Sequence, residues 1–107
     1  MTSGTDEPGS LVILVGRLDA STVSACRDAV NSALDLGAGP LVIELSGVHT
    51  IDATGLGMLI GAQRRAHRAG RSVLLRGVPP RVTRLLRATR LDRVLLAEPA
   101  HVTVVGG

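Results

Sequence analysis

The chain has 107 residues, 45% of them hydrophobic and 20% charged, which suits one modest domain with its own core and excludes a charge-rich disordered tail or a pair of domains. Its net charge of +3 conceals an asymmetry: all twelve basic residues are arginine, ten of them lie between Arg64 and Arg93, and Asp92 is the sole acid in that span. Aromatic residues are absent, so the core must be packed from aliphatic side chains and methionine, and the rings on which single-stranded nucleic acid and sugars usually stack are missing.

Residues 1–10, MTSGTDEPGS, are polar and broken by Gly4, Pro8 and Gly9. They read as a flexible lead-in without the basic start or apolar centre of a signal peptide, so a single domain over 11–107 and a cytoplasmic location are expected. LVILV, 11–15, is a strand by its branched side chains and its ending at Gly16. From Ala20 to Leu36 the positions Val23, Cys26, Val30, Ala33 and Leu34 fall at helical spacing, with Asp19 or Ser21 as cap and Gly37 as stop. The lone Cys26 cannot form an internal disulfide, and its place on that apolar stripe reads as a buried, inert thiol.

LVIEL, 41–45, is apolar enough on both faces for a central strand. SGVHTID, 46–52, reads as a link to a helix from Thr54 to Ala69 that Gly70 ends. Leu56, Leu59, Ile60 and Gln63 or Ala66 form its inward face, with Arg64, Arg65 and Arg68 outside. SVLLR, 72–76, is a third strand, and the break at Val78, Pro79 and Pro80 starts a helix to about Thr89 that buries Val82, Leu85 and Leu86. Arg81, Arg84, Arg87 and Arg90 recur at every third position, which spreads them around a helix instead of stacking them in one stripe and weakens a DNA-binding reading. RVLLA, 93–97, and HVTVV, 101–105, complete the sheet. The class is α/β.

Chemistry concentrates in TIDATGLGMLIGAQRRA, residues 50–66. Thr54 stands where a helix opens, and a cap there contributes about 0.5–2 kcal/mol; Asp52 competes for the same task. The spacing G-x-G-x-x-x-G lacks the lysine of a phosphate-binding loop and a following acid about twenty positions on. A nucleophilic hydroxyl would need a base, and His49, His67 and His101 are scattered. Asp19 and Asp52 can meet at the ends of two strands, but no pocket-forming rings surround them. No metal site, cofactor or enzymatic activity is expected.

Gly16-Arg17-Leu18-Asp19 with Ser21-Thr22, then LVIEL, then Ile51-Asp52-Ala53-Thr54-Gly55-Leu56-Gly57, resembles the STAS family over about residues 11 to 97, in particular its anti-sigma-factor antagonists. The resemblance implies a STAS-like mixed β-sheet of about four to five strands covered by three to four helices. It implies a bacterial cytoplasmic switch protein whose Thr54 receives phosphate from a partner that is both serine-threonine protein kinase and anti-sigma factor. The unmodified form binds that partner, the phosphorylated form releases it, and a phosphatase resets the switch. Asp19, Asp52, Ala53, Gly55, Leu56, Gly57 and Met58 are the implied docking residues; a weak homodimer is expected, direct nucleic-acid binding and membrane insertion are not. STAS domains also resemble parts of anion transporters and of lipid-transport complexes, so an accessory subunit of a membrane lipid or anion transport complex is the alternative. The chain departs from the family pattern at Arg17, where an acid is usual, at Ala53, where a serine is usual, in a shortened or missing first strand, and in AHVTVV where a helix would stand.

Overall fold

The structure, a computed structural model, describes residues 9–97. Its elements are β1 (Leu11–Leu18), α1 (Val23–Leu36), β2 (Leu41–Ile51), α2 (Ala53–Arg68), β3 (Val73–Arg76), α3 (Pro80–Ala88), a 3₁₀ turn (Leu91–Arg93) and β4 (Leu96–Ala97). The sheet order is β1-β2-β3-β4. Each described pairing is parallel. Parallel neighbours need crossovers, and right-handed crossovers between strands in chain order set every helix on the same face. Burial follows: Leu41, Ile43 and Leu45 of β2 are sealed, whereas Val42 and Glu44 between them are half-buried. On the barer face Val15 of β1, the edge strand among the described residues, is 68% exposed.

The expected mixed sheet therefore has no antiparallel pair among the described residues; it consists of three full strands and a two-residue fourth. RVLLA does not extend as one strand. Arg90 takes a left-handed backbone (φ 61°), Leu91–Arg93 coil into the 3₁₀ turn, and only Leu96 and Ala97 pair, with Leu74 and Leu75. The expected strand 101–105 and residues 1–8 of the lead-in lie outside the described residues.

SGVHTI does not form the expected loop but continues β2 to Ile51. Between the pairs Leu11–Val42 and Leu18–Ile51, β2 spends two more residues than β1, absorbed at register shifts beside Val15 and between Gly16 and Arg17. Such bulges re-aim a strand without ending it. Here they keep Leu18 and Ile51 side by side, so that Asp19 and Asp52, each the next residue along, leave the sheet at the same end.

Two polar clusters tie these elements together. Glu44 and Arg76 face one another in the β2–β3 register, with Arg76 Nε donating to Glu44 Oε1 at 2.7 Å. Burial pushes the Glu44 carboxyl up, but bonds from Arg76 and Ser46 more than offset it and hold it below the usual carboxylate range. A carboxyl depressed by folding stabilises the fold above its unfolded pKa, and that contribution is lost as pH falls through the folded value. Glu44→Gln is thus expected to cost about 1 kcal/mol or less near pH 7 and less still below about pH 4, read from urea midpoints at both.

The second cluster is Arg71, 7% exposed, which sequence reasoning passed over as one of ten arginines. Its guanidinium donates to the carbonyls of Gly39 (2.7 Å), Ala33 (2.9 Å), Leu34 (3.2 Å) and Gly9 (2.6 Å). Ala33 and Leu34 lie in the last turn of α1, where free carbonyl lone pairs and the helix dipole favour a cation. Gly9 and Gly37 come so close that a Cβ on either would strike the other's backbone. With Ser10 accepting from Val42 N–H at 2.9 Å, the last two residues of the expected lead-in are already tied to the domain.

Candidate functional site

At the end of the sheet where Leu18 and Ile51 pair, two turns lead into α1 and α2. In the first, Asp19 Oδ1 accepts from Ser21 N–H (2.9 Å) and from Ser21 Oγ–H (2.6 Å). Thr22 Oγ1 donates to the Arg17 carbonyl at 2.7 Å and accepts from Asp19 N–H at 3.1 Å. Arg17 Nε stands 3.7 Å from Asp19 Oδ2. The two bonds from Ser21, then Arg17, hold the Asp19 carboxyl below its ordinary range. Neither Asp19 nor Ser21 caps α1 as expected; the Asp19 carboxylate closes its own turn, and only its backbone oxygen meets the helix, accepting from Thr22 and Val23.

In the second turn Asp52, not Thr54, is the cap of α2: its Oδ1 accepts from Gly55 N–H at 3.0 Å. Its backbone N–H reaches the Leu18 carbonyl at 3.3 Å and stitches α2 to the end of β1. Asp52 wins because its backbone is extended (φ −120°, ψ −171°), the geometry a capping residue needs, whereas Thr54 is already the second helical residue. Thr54 is exposed, and among the described residues its hydroxyl makes no hydrogen bond. Its structural duty has been taken by its neighbour.

The two glycines of the motif do different things. A Cβ at Gly55 would strike the Leu18 carbonyl and lie 2.8 Å from Ile51 Cγ1, so α2 can seat on the strand ends only with glycine there. Gly57 meets nothing within 4 Å of such a Cβ and is exposed. Within a helix it forgoes about 1 kcal/mol relative to alanine with no packing reason for doing so. We expect Gly57→Ala to raise the unfolding free energy by about 0.5–1 kcal/mol in urea titration, and to weaken docking of any partner that uses the bare surface.

Of the expected docking residues, the structure gathers Asp52, Ala53 and Gly57 on the exposed first turns of α2 beside Thr54, with Asp19, half-buried, in the neighbouring turn. Leu56 (6% exposed) and Met58 (2%) face inward and belong to the core, as the α2 face opposite them requires, so their side chains are not available for docking. Gly55 is buried too. His49 projects from β2 into a shallow cleft of about 450 Å³ with Val48, Pro79, Pro80, Arg81 and Arg84; Thr54 does not line it, and no base is set against the hydroxyl there. Among the described residues no three of His, Cys, Asp or Glu gather as a metal site. No helix of the described residues is long and apolar enough to cross a membrane. Burial pushes the Cys26 thiol up, away from the reactive thiolate.

One residue expected outside is not. Arg65 is half-buried, and its Nε and Nη2 are sealed from solvent without a hydrogen-bond partner. Hydrophobic periodicity assigns a residue to a face and cannot show that a long polar stem folds back into a seam between helices.

The family profile described as "Mlab, STAS domain" matches residues 2–98. Among solved structures, an anti-sigma factor antagonist from Mycobacterium paratuberculosis is 28% identical with a TM-score of 0.70, over 89% of this chain and 81% of that one. The anti-sigma factor antagonist SpoIIAA in its unphosphorylated form is 16% identical with a TM-score of 0.67, over 91% and 86%. A sulfate transporter family protein from Wolinella succinogenes is 22% identical with a TM-score of 0.66, over 80% and 70%. The last two identities speak for the fold alone.

Proposed function

From the premise that this chain belongs to the STAS domain family, we propose that it is an anti-sigma-factor antagonist, a phosphorylation-switched interaction module with Thr54 as the acceptor. The observation that carries this reading is the division of labour at the start of α2: Asp52 caps the helix, and the exposed Thr54 beside it has no structural task. A hydroxyl kept in such a place is free to be modified without loss of the fold.

The physics of the switch follows from position. A phosphate adds about −1.5 to −2 charges at neutral pH. Thr54 is in the first turn of α2, where backbone N–H groups precede the first intrahelical bond and the dipole favours negative charge. The protein itself therefore tolerates the group. The partner does not: Asp19 and Asp52 already leave the sheet at this end, and a phosphate adds charge and bulk to a face formed by Ala53, Thr54 and Gly57. In this reading the unmodified face binds an anti-sigma factor that is also the kinase, and a phosphatase restores it. Arg17 beside Asp19 tempers the acidity of the face and bears on which partner is chosen.

The reading is tested by incubation with ATP and a histidine-kinase-like anti-sigma factor from the same cell, followed by intact mass. One added phosphate that is absent from Thr54→Ala supports it; no transfer with any such partner refutes it. A second reading, an accessory subunit of a membrane lipid or anion transport complex, draws support from the "Mlab" family description. Stable co-purification with a membrane transport complex, together with an unmodified Thr54, would favour it.

A further inference from the structure

Arg65 lies in the α1–α2 seam, with its Nη1 close enough to Gly61 that a Cβ there would be 3.2 Å away. Its Nε and Nη2, the pair of N–H donors on one edge of the guanidinium, are buried without a hydrogen-bond partner, and so is Asn31 Oδ1 of α1. Arg27 of α1 and Arg68 of α2 are near enough, and alike enough in charge, to add to burial in lowering its affinity for a proton. Among the described residues the ion pairs are Arg17–Asp19 and Arg76–Glu44, so Arg27, Arg65 and Arg68 are in none; Asp28, the next residue after Arg27, is exposed. Three cations thus lie near one another with no ion pair among them, and one of them has two of its donors buried unpaired. An arrangement of that kind lies uphill until an acceptor arrives.

We propose that the seam marked by Arg27, Arg65 and Arg68 is a second docking site, and that its occupant is an acidic segment of a protein partner. A side-chain carboxylate accepts two parallel bonds from the Nε–Nη2 edge, which makes the pairing both directional and strong. On docking, the flexible Arg65 stem swings its fork out of the seam onto that carboxylate while Arg27 and Arg68 flank it. Among the described residues the exposed large apolar side chains are Val15, Leu36 and Val94; α2 carries none of them and α1 carries Leu36 nine residues after Arg27, so these helices lack the row of apolar anchors by which a basic helix enters a lipid surface. Arg65 follows Thr54 by eleven residues, about 16 Å along α2, within the span of one protein interface. The inference does not rest on Thr54 being modified.

The test is fluorescence anisotropy with a labelled oligoglutamate peptide, on the wild-type chain, on Arg65→Gln, on Arg27→Gln and, as a charge-matched control on α3, on Arg87→Gln. Saturable binding is expected, weakened about tenfold by each seam substitution and less than about twofold by the control. Arg65→Gln should melt no lower than wild type, since it removes an unpaired buried cation; were it to unfold, the exposed Arg27→Gln still decides the matter. Equal losses in seam and control variants would mean diffuse charge attraction and overturn the proposal, as would no saturable binding. Two further arms also decide against it: inorganic phosphate that displaces the peptide at low concentration would make this a small-anion site, and seam-dependent binding to phosphatidylglycerol vesicles but not to peptide would make it a membrane contact.

Discussion

Replacing Arg71 with alanine is expected to remove about 3 kcal/mol of stability and to lower the thermal midpoint by about 15 °C. The side chain reaches four carbonyls from three chain segments: the strand entry at Gly9, the end of α1, and the loop at Gly39. Charge-assisted bonds contribute about 1.5–3 kcal/mol each when measured singly, but bonds from one guanidinium are not additive, and some of the freed carbonyls regain water. Arg71→Lys should recover only part of the loss, because an ammonium cannot span the positions that a planar fork bridges. Arg81→Ala, on the exposed face of α3, should change stability by no more than about 0.5 kcal/mol. Differential scanning calorimetry of the three variants checks this, and a shift for Arg71→Ala as small as that for Arg81→Ala would remove the staple from the account.

Phosphorylation of Thr54 is expected to weaken the anti-sigma-factor complex at least a hundredfold, which corresponds to about 2.7 kcal/mol, while leaving the far-ultraviolet circular dichroism and the melting temperature nearly unchanged. Loss of binding without loss of fold is the diagnostic pair. The first half follows from bringing about two negative charges into the proposed contact at Ala53, Thr54 and Gly57, at the end of the sheet where Asp19 and Asp52 emerge. The second follows from the site's place at a helix start already capped by Asp52. Thr54→Ala should retain the partner, and Thr54→Glu should lose it only partly, since one carboxylate carries less charge and fewer acceptor oxygens than a phosphate. Isothermal titration with the kinase in the absence of ATP measures all three. Equal affinity for the phosphorylated and unmodified chains would sink the switch.

Much of the architecture could be read from patterning. Runs such as LVILV and LVIEL, separated by a stripe at helical spacing, point to strand, helix and strand, and the structure forms β1, α1 and β2 there. Val82 and Leu86 bury as periodicity requires, with Leu85 at the edge. The errors cluster where local preference is weak. SGVHTI has a serine, a glycine and a histidine that suit a loop, yet backbone pairing with β1 holds it in the sheet as far as Ile51. RVLLA has the right composition for a strand, but Arg90 in the left-handed region turns the chain first. At the site, the motif identified Asp52, Thr54, Gly55 and Gly57 together; it could not say which oxygen caps the helix, because Asp and Thr are both good caps and only the position of the helix start separates them.

What the sequence by itself determined is what depends on neighbours within a few residues: the alternation of strands and helices, an aliphatic core without rings, and a hydroxyl beside two glycines at a strand-to-helix corner. The tertiary structure alone decided what depends on residues far apart in the chain. Gly55 must be glycine because the Leu18 carbonyl, thirty-seven residues earlier, lies against it. Arg71 is buried because carbonyls from Gly9 to Gly39 converge on it, whereas Arg65 has its Nε and Nη2 buried without a partner and another arginine, Arg27 of α1, for a neighbour. Both are arginines in a run that composition treats as uniform; their environments, set by which segments pack together, make one a staple and the other a donor without an acceptor.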